Sequence, residues 1–516
     1  MPASFLDPVG RLSARVVDGL IDPARRRRVA LWLVIGYGLA WWVYAIVAKS
    51  SQDLNADMAE MVVWAQHPAL GYSKHPPLLA WVLAVWFAIF PHADWAFWLL
   101  SAITLAAGIF LAIELCGEWL EGEKRAAVPF LLAVIPFYNF LGLKFDQNSA
   151  LIPLWALAMW AFVRSLNGRP HGWAALAGLA AAAAMLTKYW SEFLVLAMAL
   201  AALFHPRRKD WFRSAAPWVT ALVFSLALLP HVIWLIQENF PPFTWVAVRR
   251  LSNSWLDWGR TLVGYLLGTI GYGGAALLLG FLLTRSSRGS IRDVACDSWL
   301  PADPMRRTAA ILFYAPILLP IIPALAARVS LLSIWNTPAL NLLPVMLLAS
   351  PLVTVTRDAV IRLAAGVVIF TLGVVLVSPI IAGVILKRGV ENYAAYGRQL
   401  AEAAEREWRA TTDRPLKIVA GLFTTVNTSA FYMREHPITY ADFSSYLSPD
   451  VDAAHIAREG AVIMCPADDD YCMRNLNDLT ARGPAGRRTE LTLSRRWLWL
   501  DGPARRFVVA TIPPRP

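Results

Sequence analysis

Acidic and basic side chains that could act together lie in one short polar stretch between two apolar runs. Its acids are Asp57 and Glu60, and Lys74 and His75 supply its basic side chains. Ionisable groups beside a bilayer are costly unless they meet water, each other or a charged ligand. This stretch is therefore the first place in the chain to look for chemistry.

The spacing of the two acids indicates what they could do. Asp57 and Glu60 are three residues apart, so they share one face of a helical turn. Such a pair could act as a general base with a partner, or one carboxylate could orient a cation bound to a phosphate. An interfacial helix that keeps both carboxylates in water is the alternative.

Lys74 and His75 form the basic half of the stretch. Pro76 and Pro77 follow them, and the residue before a proline is biased away from helix. An extended approach to the next apolar run would hold both basic side chains near a lipid phosphate. They could instead be plain positive flanks of a span, but such flanks favour the cytoplasm, and this loop is predicted below to face outward.

Two further polar clusters interrupt apolar runs. One is 144–148, which contains Asp146, and the other is 186–189, which contains Lys188. Taken alone, Asp146 is a helix-capping residue, and Lys188 is a lysine that reaches from a span to the interface. Three such clusters on one predicted face favour a shared site for an anionic ligand.

Composition places most of the chain in a membrane. Of its 516 residues, 57% are hydrophobic and only 16% are charged, and the mean hydropathy is +0.49. A soluble protein carries about 25% charged residues, so a large soluble enzyme is the weaker alternative. The net charge of +11 is no nucleic-acid signature, because its Lys and Arg lie mainly in short links between spans and in the C-terminal tail.

Apolar runs long enough to cross a bilayer recur along the chain. We predict spans at 29–48, 95–116, 127–143, 149–166, 172–187, 191–204, 215–236, 260–283, 308–326, 332–351 and 359–383. Links rich in Lys and Arg alternate with links that hold Asp146, Lys188 and 328–335, so this second set is predicted to face outward with the 49–76 loop. Residues 77–90 are also apolar. A half-span or interfacial helix there preserves the alternation, whereas a full extra span would invert every later assignment.

The N-terminal segment 1–28 is polar and ends in four arginines. The apolar run that follows has ~20 residues, which is longer than the core of a signal peptide. We therefore expect a retained anchor with its N-terminus in the cytoplasm. A signal peptide cleaved near Ala48 is the alternative.

After residue 384 the composition becomes that of a soluble domain. Its patterns predict an amphipathic helix, two buried strands and a hairpin, at 397–414, 417–421, 461–465, 490–500 and 506–512. The hairpin is predicted to turn through Asp501-Gly502. The segment 385–516 is thus expected to form a small external α/β domain with its own core. Cys465 and Cys472 would bridge in an oxidising compartment and stay free otherwise.

Several familiar motifs are absent from the sequence, which has no Walker loop, no dinucleotide fingerprint and no HExxH motif. The residues that are present resemble those of the multi-spanning GT-C type glycosyltransferases of family 39, which include protein O-mannosyltransferases and the aminoarabinose transferase of lipid A. The matching residues are Asp57, Gly71-Tyr72, His75-Pro76-Pro77-Leu78, Trp81, Asp146, Gly178-Leu179 and Leu186-Thr187-Lys188-Tyr189. A later and less specific match is formed by Arg328, Trp335 and Pro338. The resemblance covers about residues 29–350.

This resemblance implies a mainly α fold, a polytopic helical bundle of about 11–13 spans with a small extracytoplasmic α/β domain. It implies a transmembrane glycosyltransferase domain over 29–384, with a catalytic external loop at 49–76. The implied activity is sugar transfer from a polyprenyl-phosphate donor to a lipid, glycan or protein acceptor, with inversion. The implied location is the inner membrane of a bacterium, with the domain 385–516 in the periplasm.

The resemblance also implies roles for individual residues. Asp57 matches the family's catalytic acid and Asp146 a second external acid. Met58 stands where the family usually has Glu, and Glu60 could substitute for it on the same face. The resemblance implies no specific cofactor, and a divalent cation stays open. The residues expected to bind substrate or its phosphate are Tyr72, Lys74, His75, Lys188, Arg328 and Trp335.

A transporter or flippase for a lipid-linked or anionic solute is the alternative function. Transporters often carry inverted repeats, with ionisable residues near the middle of the bilayer. The sequence shows no clear symmetry between its halves, and its charges cluster at one predicted face. The pattern therefore favours the transferase.

Overall fold

Long apolar helices dominate the computed structural model, which describes residues 6–169, 171–252, 254–286, 290–389 and 396–515. Parts of the predicted N-terminal segment (1–5) and of the predicted tail (390–395) lie outside these ranges. Within them, seven helices are long and apolar enough to cross a membrane, namely Arg26–Ala48, Asp94–Cys116, Gln147–Leu166, Ala216–Gln237, Trp255–Leu283, Pro304–Ala327 and Arg357–Arg388. Helices suit lipid because they satisfy their own backbone hydrogen bonds. The predicted mainly α, multi-pass membrane fold is confirmed.

Shorter helices complete the helical part. Three of them are apolar: Leu78–Ile89, His171–Thr187 and Tyr189–Phe204. The others before the tail are Leu6–Ile21, Ala56–Ala65, Gly122–Ala133, Arg208–Arg213, Pro241–Arg250, Ile291–Trp299 and Leu343–Leu348. Leu78–Ile89 has 12 residues, about 18 Å at 1.5 Å per residue. It is therefore too short to cross a bilayer core of about 30 Å, as expected for a half-span or interfacial helix.

Three predicted spans are not continuous α-helices, and those three predictions were wrong in this respect. In 308–326 the helix Pro304–Leu318 is followed by a turn at Leu319-Pro320, before the helix Ile321–Ala327. In 127–143 the α-helix ends at Ala133, and short 3₁₀ turns follow at Pro136–Tyr138 and Leu141–Leu143. In 332–351 a 3₁₀ helix, Ser333–Leu342, precedes a short α-helix. Prolines explain all three breaks, because proline lacks the N–H that a continuing helix needs.

Two compact units make up the chain. The first comprises residues 1–41 and 100–374, and the second comprises residues 42–99 and 375–516. The first unit holds a two-stranded antiparallel ribbon of β1 (Thr284–Ser286) and β2 (Val353–Val355). The second unit joins the polar stretch around Asp57 to the tail in one compact body.

A five-stranded sheet forms the centre of the tail. Its strands are β3 (Ile418–Gly421), β4 (Ile438–Ala441), β5 (Ala461–Pro466), β6 (Arg488–Trp497) and β7 (Leu500–Ile512). Their order is β4-β3-β5-β7-β6; β3 is parallel to β4 and β5, and β7 is antiparallel to β5 and β6. The helices of the tail are Gly397–Arg409, Phe423–Tyr432, Ala453–Glu459 and Asp470–Arg482. The predicted α/β architecture is confirmed, and Cys465 is bridged to Cys472.

The hairpin of β6 and β7 turns at Leu498-Trp499, three residues earlier than the predicted pair Asp501-Gly502. Trp497 pairs with Leu500, so Leu498 and Trp499 form the turn and Asp501-Gly502 lies in β7. Leu498 takes the positive φ of 53° that such a tight turn needs. Gly502 serves close packing instead, since a Cβ there would lie 3.0 Å from Cδ1 of Leu386.

Candidate active site

The short helix Ala56–Ala65, here called the loop helix, carries Asp57. Asn55 caps it, because its side-chain Oδ1 accepts a 3.0 Å hydrogen bond from the backbone N–H of Asp57. Every residue from Ser51 to Glu60 is buried except Asp57, which is exposed. The local fold therefore presents one carboxylate at the surface of an otherwise buried segment.

The tail supplies the packing surface for this segment. The hydroxyl of Tyr432 accepts a 2.9 Å hydrogen bond from the backbone N–H of Leu54, and Thr428 Oγ1 donates to the Leu54 carbonyl at 3.2 Å. Both partners lie on the tail helix Phe423–Tyr432. The conformation of the loop that carries Asp57 thus depends on residues more than 370 positions away.

Glu60 and Lys74 form a buried ion pair. Lys74 Nζ lies 2.7 Å from Glu60 Oε1, and their side chains are 11% and 9% exposed. The same Nζ lies 4.1 Å from the ring centroid of Phe423, which is a cation–π geometry. Asp57 and Glu60 therefore do not have equivalent environments, although their spacing placed them on one face.

Burial, as the largest cause, raises the pKa of the Glu60 carboxyl to about 7. The neighbouring Lys74 ammonium lowers this pKa, and the negative charges of Asp57 and Asp442 raise it. Glu60 thus belongs to a cluster of three acids, with Asp57 and Asp442, whose charges act on its pKa, and Lys74 is paired with Glu60. Such a cluster is sensitive to the approach of another charged group.

The raised pKa of Glu60 makes stability depend on pH. Below its ordinary value of 4.5 the side chain is protonated in both folded and unfolded chains, and between 4.5 and about 7 only the unfolded chain loses the proton. The stabilising contribution is therefore complete below 4.5 and is lost as the pH rises to about 7. We expect the melting temperature of Glu60→Gln in detergent to rise relative to wild type across this window. Parallel pH profiles of the two proteins would contradict this account.

Tyr72 holds the loop that follows. Its ring stacks on Trp64 at 4.9 Å between centroids, and its hydroxyl donates to the Trp64 carbonyl at 3.0 Å. Its backbone N–H donates to the carbonyl of His75 at 3.1 Å, and the His75 ring lies edge-on to Trp64 at 6.1 Å. These contacts indicate that Tyr72 positions the loop, and its predicted contact with substrate stays a prediction.

A buried charge network fixes the start of the same segment. The side chain of Asp53 is 0% exposed, and it pairs with the guanidinium of Arg495 on β6. Asp53 Oδ2 also accepts a 3.2 Å hydrogen bond from the backbone N–H of Arg398. Arg398 in turn lies 3.0 Å from Asp94 Oδ2, which links the tail to the first turn of the helix Asp94–Cys116.

In the first unit, Asp146 is the N-cap of the helix Gln147–Leu166. Its side chain accepts hydrogen bonds from the backbone N–H groups of Asn148 and Ser149, and the Ser149 side chain completes a capping box. Lys144 Nζ lies 3.7 Å from Asp146 Oδ2. The capping role weighed for Asp146 is thus present, and its catalytic role stays a prediction.

Lys188 reaches the same helix start. Its Nζ donates to Asn148 Oδ1 at 2.6 Å and lies 4.9 Å from the ring centroid of Trp335. Trp335 also packs on Trp190 at 4.8 Å. Arg328 makes a different contact, since its guanidinium lies 5.5 Å from the ring centroid of Trp255. The first unit therefore brings Lys188 and Trp335 together, beside the cap formed by Asp146.

Sequence reasoning missed the residues that the tail contributes. Asp442 Oδ1 accepts a 2.7 Å hydrogen bond from the backbone N–H of Phe423. The Phe423 ring contacts the Lys74 ammonium, and the charge of Asp442 acts on Glu60. These two tail residues lie about 350 residues from the loop, in a segment without a recognisable motif. Among the residues that the structure describes, no group of three or more His, Cys, Asp or Glu side chains is arranged to hold a metal ion.

Comparison with known proteins gives three findings. Residues 74–234 match the family model described as dolichyl-phosphate-mannose-protein mannosyltransferase. Lipid A galacturonosyltransferase RgtD of Rhizobium johnstonii is 26% identical over 218 residues, 41% of this chain and 44% of that protein. Lipopolysaccharide core galacturonosyltransferase RgtB of the same organism is 25% identical over 236 residues, 41% of this chain and 46% of its own. The match thus spans less than half the length of these relatives.

Comparison with solved structures gives the finding on the fold. The crystal structure of ArnT from Cupriavidus metallidurans bound to undecaprenyl phosphate aligns with 93% of this chain and 97% of its own, with a TM-score of 0.61 at 15% identity. At this level of identity the likeness shows the fold alone. It confirms the GT-C type fold that the sequence resemblance implied.

Proposed function

We propose that this protein is a membrane glycosyltransferase that moves a sugar from a polyprenyl-phosphate donor to an acceptor hydroxyl. One observation carries the proposal: Asp57 is the single exposed side chain of the buried segment 51–60, and it lies beside the buried pair of Glu60 and Lys74. The arrangement combines a carboxylate that can take a proton with a held positive charge. The family match and the shared fold support the same activity.

In the proposed reaction Asp57 acts as the general base. The acceptor oxygen attacks the anomeric carbon, its proton passes to the Asp57 carboxylate, and the bond from that carbon to the donor phosphate breaks. The electron pair of that bond leaves with the lipid phosphate. A single displacement of this kind inverts the anomeric centre, and it needs no nucleotide.

Lys74 and His75 are the proposed contacts of the donor phosphate. A positive group placed where charge develops on the leaving phosphate stabilises the transition state. Glu60 holds the Lys74 ammonium 2.7 Å away and Phe423 lies beneath it, so the cation is positioned before substrate arrives. We assign Glu60 this positioning role in place of proton transfer.

The predicted residues of the first unit have proposed roles in substrate binding. Lys188 presents an ammonium between Asn148 and the Trp335 ring, a pairing suited to an anionic group on a sugar or a phosphate. Asp146 is proposed to orient this cluster through its helix cap. Arg328 keeps its predicted role as a cationic contact.

For the substrates we propose a uronic acid donor and a lipid A or lipopolysaccharide core acceptor. The two galacturonosyltransferases that match this chain act on such acceptors according to their names. We also propose that the protein lies in a bacterial inner membrane with its tail in the periplasm. The bridge between Cys465 and Cys472 supports an oxidising compartment for the tail.

The test is transfer in isolated membranes. Membranes that contain the protein are given polyprenyl-phosphate-linked galacturonic acid and lipid A, and mass spectrometry follows the acceptor. We expect the acceptor mass to increase by one uronic acid residue, only when the protein is present. Movement of the donor across vesicles without any glycosylated product would favour the flippase alternative and overturn the proposal.

A further inference from the structure

The turn of the tail hairpin exposes large apolar side chains. Trp499 is 76% exposed and Leu498 is 60% exposed. Two-residue hairpin turns usually contain Asn, Asp or Gly, and a tryptophan beside a leucine at such a turn is unfavourable in water. Contact with an apolar partner would therefore stabilise Leu498 and Trp499, here called the hairpin tip.

The hairpin runs alongside the last part of the helix Arg357–Arg388, here called the terminal span. A Cβ on Gly389 would lie 2.9 Å from Cγ of Pro503, and a Cβ on Gly502 would lie 3.0 Å from Cδ1 of Leu386. The Lys387 ammonium also donates to the carbonyl of Asp501 at 2.8 Å. The hairpin thus packs directly against the end of a membrane helix.

The order of these contacts gives the direction of the hairpin. Gly502 lies at Leu386, whereas Leu500 lies at Gly383, where a Cβ would be 3.3 Å from Cδ1 of Leu500. Three residues along a helix correspond to about 4.5 Å. The hairpin therefore runs toward the lower-numbered, apolar residues of the span as it approaches its turn. Leu498 and Trp499 come next, and they extend further in the direction of the apolar part of the span.

The end of the apolar run marks the membrane surface on this side. The terminal span has no charged residue from Leu363 to Leu386, and Lys387 and Arg388 then follow. Long basic side chains at the end of a span reach to the level of the lipid headgroups. Contacts at Gly383 therefore place the hairpin turn at or below that level.

We propose that Leu498 and Trp499 insert into the lipid leaflet beside the terminal span and anchor the tail to the bilayer. The occupant of this apolar surface is lipid, because the surface continues that of a spanning helix. Tryptophan favours the membrane interface. Arg496, whose side chain is 70% exposed, would then lie at the level of the headgroups. The proposal does not depend on the proposed activity, since it concerns only how the tail meets the membrane.

The test measures how deeply the tip lies in lipid. Cys296, which is exposed, is replaced by serine, and a nitroxide label is attached to Trp499→Cys in the full-length protein in lipid nanodiscs. Power saturation compares collisions with oxygen, which enters lipid, and with a nickel chelate, which stays in water. We expect the ratio of oxygen to nickel collisions at position 499 to be several-fold higher than at a surface position.

Asp478→Cys is the matched control, because Asp478 is exposed on the helix Asp470–Arg482 of the same domain. Leu498→Cys gives a second labelled position, so the result does not depend on one variant. High ratios at both tip positions and a low ratio at 478 support insertion. Ratios at both tip positions equal to that at 478 would overturn the proposal.

Discussion

Replacement of Asp57 by asparagine is expected to abolish sugar transfer and leave the fold intact. General base catalysis contributes about 10²–10⁴-fold to rate, and an amide cannot accept the proton. The fold should persist because the Asp57 side chain is exposed and the cap of the loop helix uses its backbone N–H, which asparagine retains. Transfer by the purified variant is measured at saturating acceptor, together with its melting temperature in detergent.

A control and a contrast make this result specific. Asp478→Asn removes an exposed carboxylate of the tail and should transfer at the wild-type rate. Glu60→Gln should keep measurable transfer with weaker donor binding, because Glu60 is proposed to hold Lys74. Transfer within a few-fold of wild type by Asp57→Asn would remove Asp57 from the mechanism, whereas equal loss in Asp57→Asn and Glu60→Gln would assign both acids to it.

The helical part of the fold follows from hydrophobicity alone, with defined exceptions. Runs such as 95–116 and 215–236 became the helices Asp94–Cys116 and Ala216–Gln237, since lipid leaves the backbone few other options. The run 127–143 is equally apolar, but its helix breaks because Pro136 has no N–H to donate. A hydropathy average does not contain this information. Length and apolarity predict where the chain meets lipid, and proline decides whether it stays helical there.

The candidate site is less predictable because its environment comes from the tail. Spacing identified Asp57 and Glu60 together, yet one is exposed and the other is buried against Lys74. That difference depends on Phe423 and Asp442, which approach the pair only in the folded second unit. Local sequence thus predicts which residues can do chemistry, whereas burial, which raises the pKa of Glu60, depends on distant residues.

The misplaced hairpin turn has a similar cause. Asp501-Gly502 is the expected turn pair by composition, but Gly502 lies within β7, where the strand passes close to Leu386. The turn then falls on Leu498 and Trp499, whose apolar side chains suit lipid better than water. An Asp-Gly pair indicates a turn exposed to water, whereas this hairpin packs against the end of a membrane helix.

Replacement of Asp53 by asparagine should destabilise the protein strongly and reduce transfer with it. The variant leaves the Arg495 guanidinium, whose side chain is 16% exposed, without the carboxylate that it meets in the wild type. Breaking a buried ion pair from one side costs about 3–5 kcal/mol. Because Asp53 precedes the loop helix, the loss should loosen the segment that presents Asp57. The melting temperature in detergent and the transfer rate are measured on the same preparation.

Arg496→Ala is the matched control, because Arg496 lies next to Arg495 on the hairpin but forms an exposed pair with Asp501 at 3.9 Å. Exposed pairs contribute about 0–1 kcal/mol, so this variant should melt and act like the wild type. The double replacement Asp53→Leu with Arg495→Met removes both charges, and it should be more stable than Asp53→Asn, since no buried charge is left unpaired. If Asp53→Asn instead melts no lower than Arg496→Ala, the network does not hold the loop, and the tail must position Asp57 through the contacts of Leu54 with Tyr432 and Thr428.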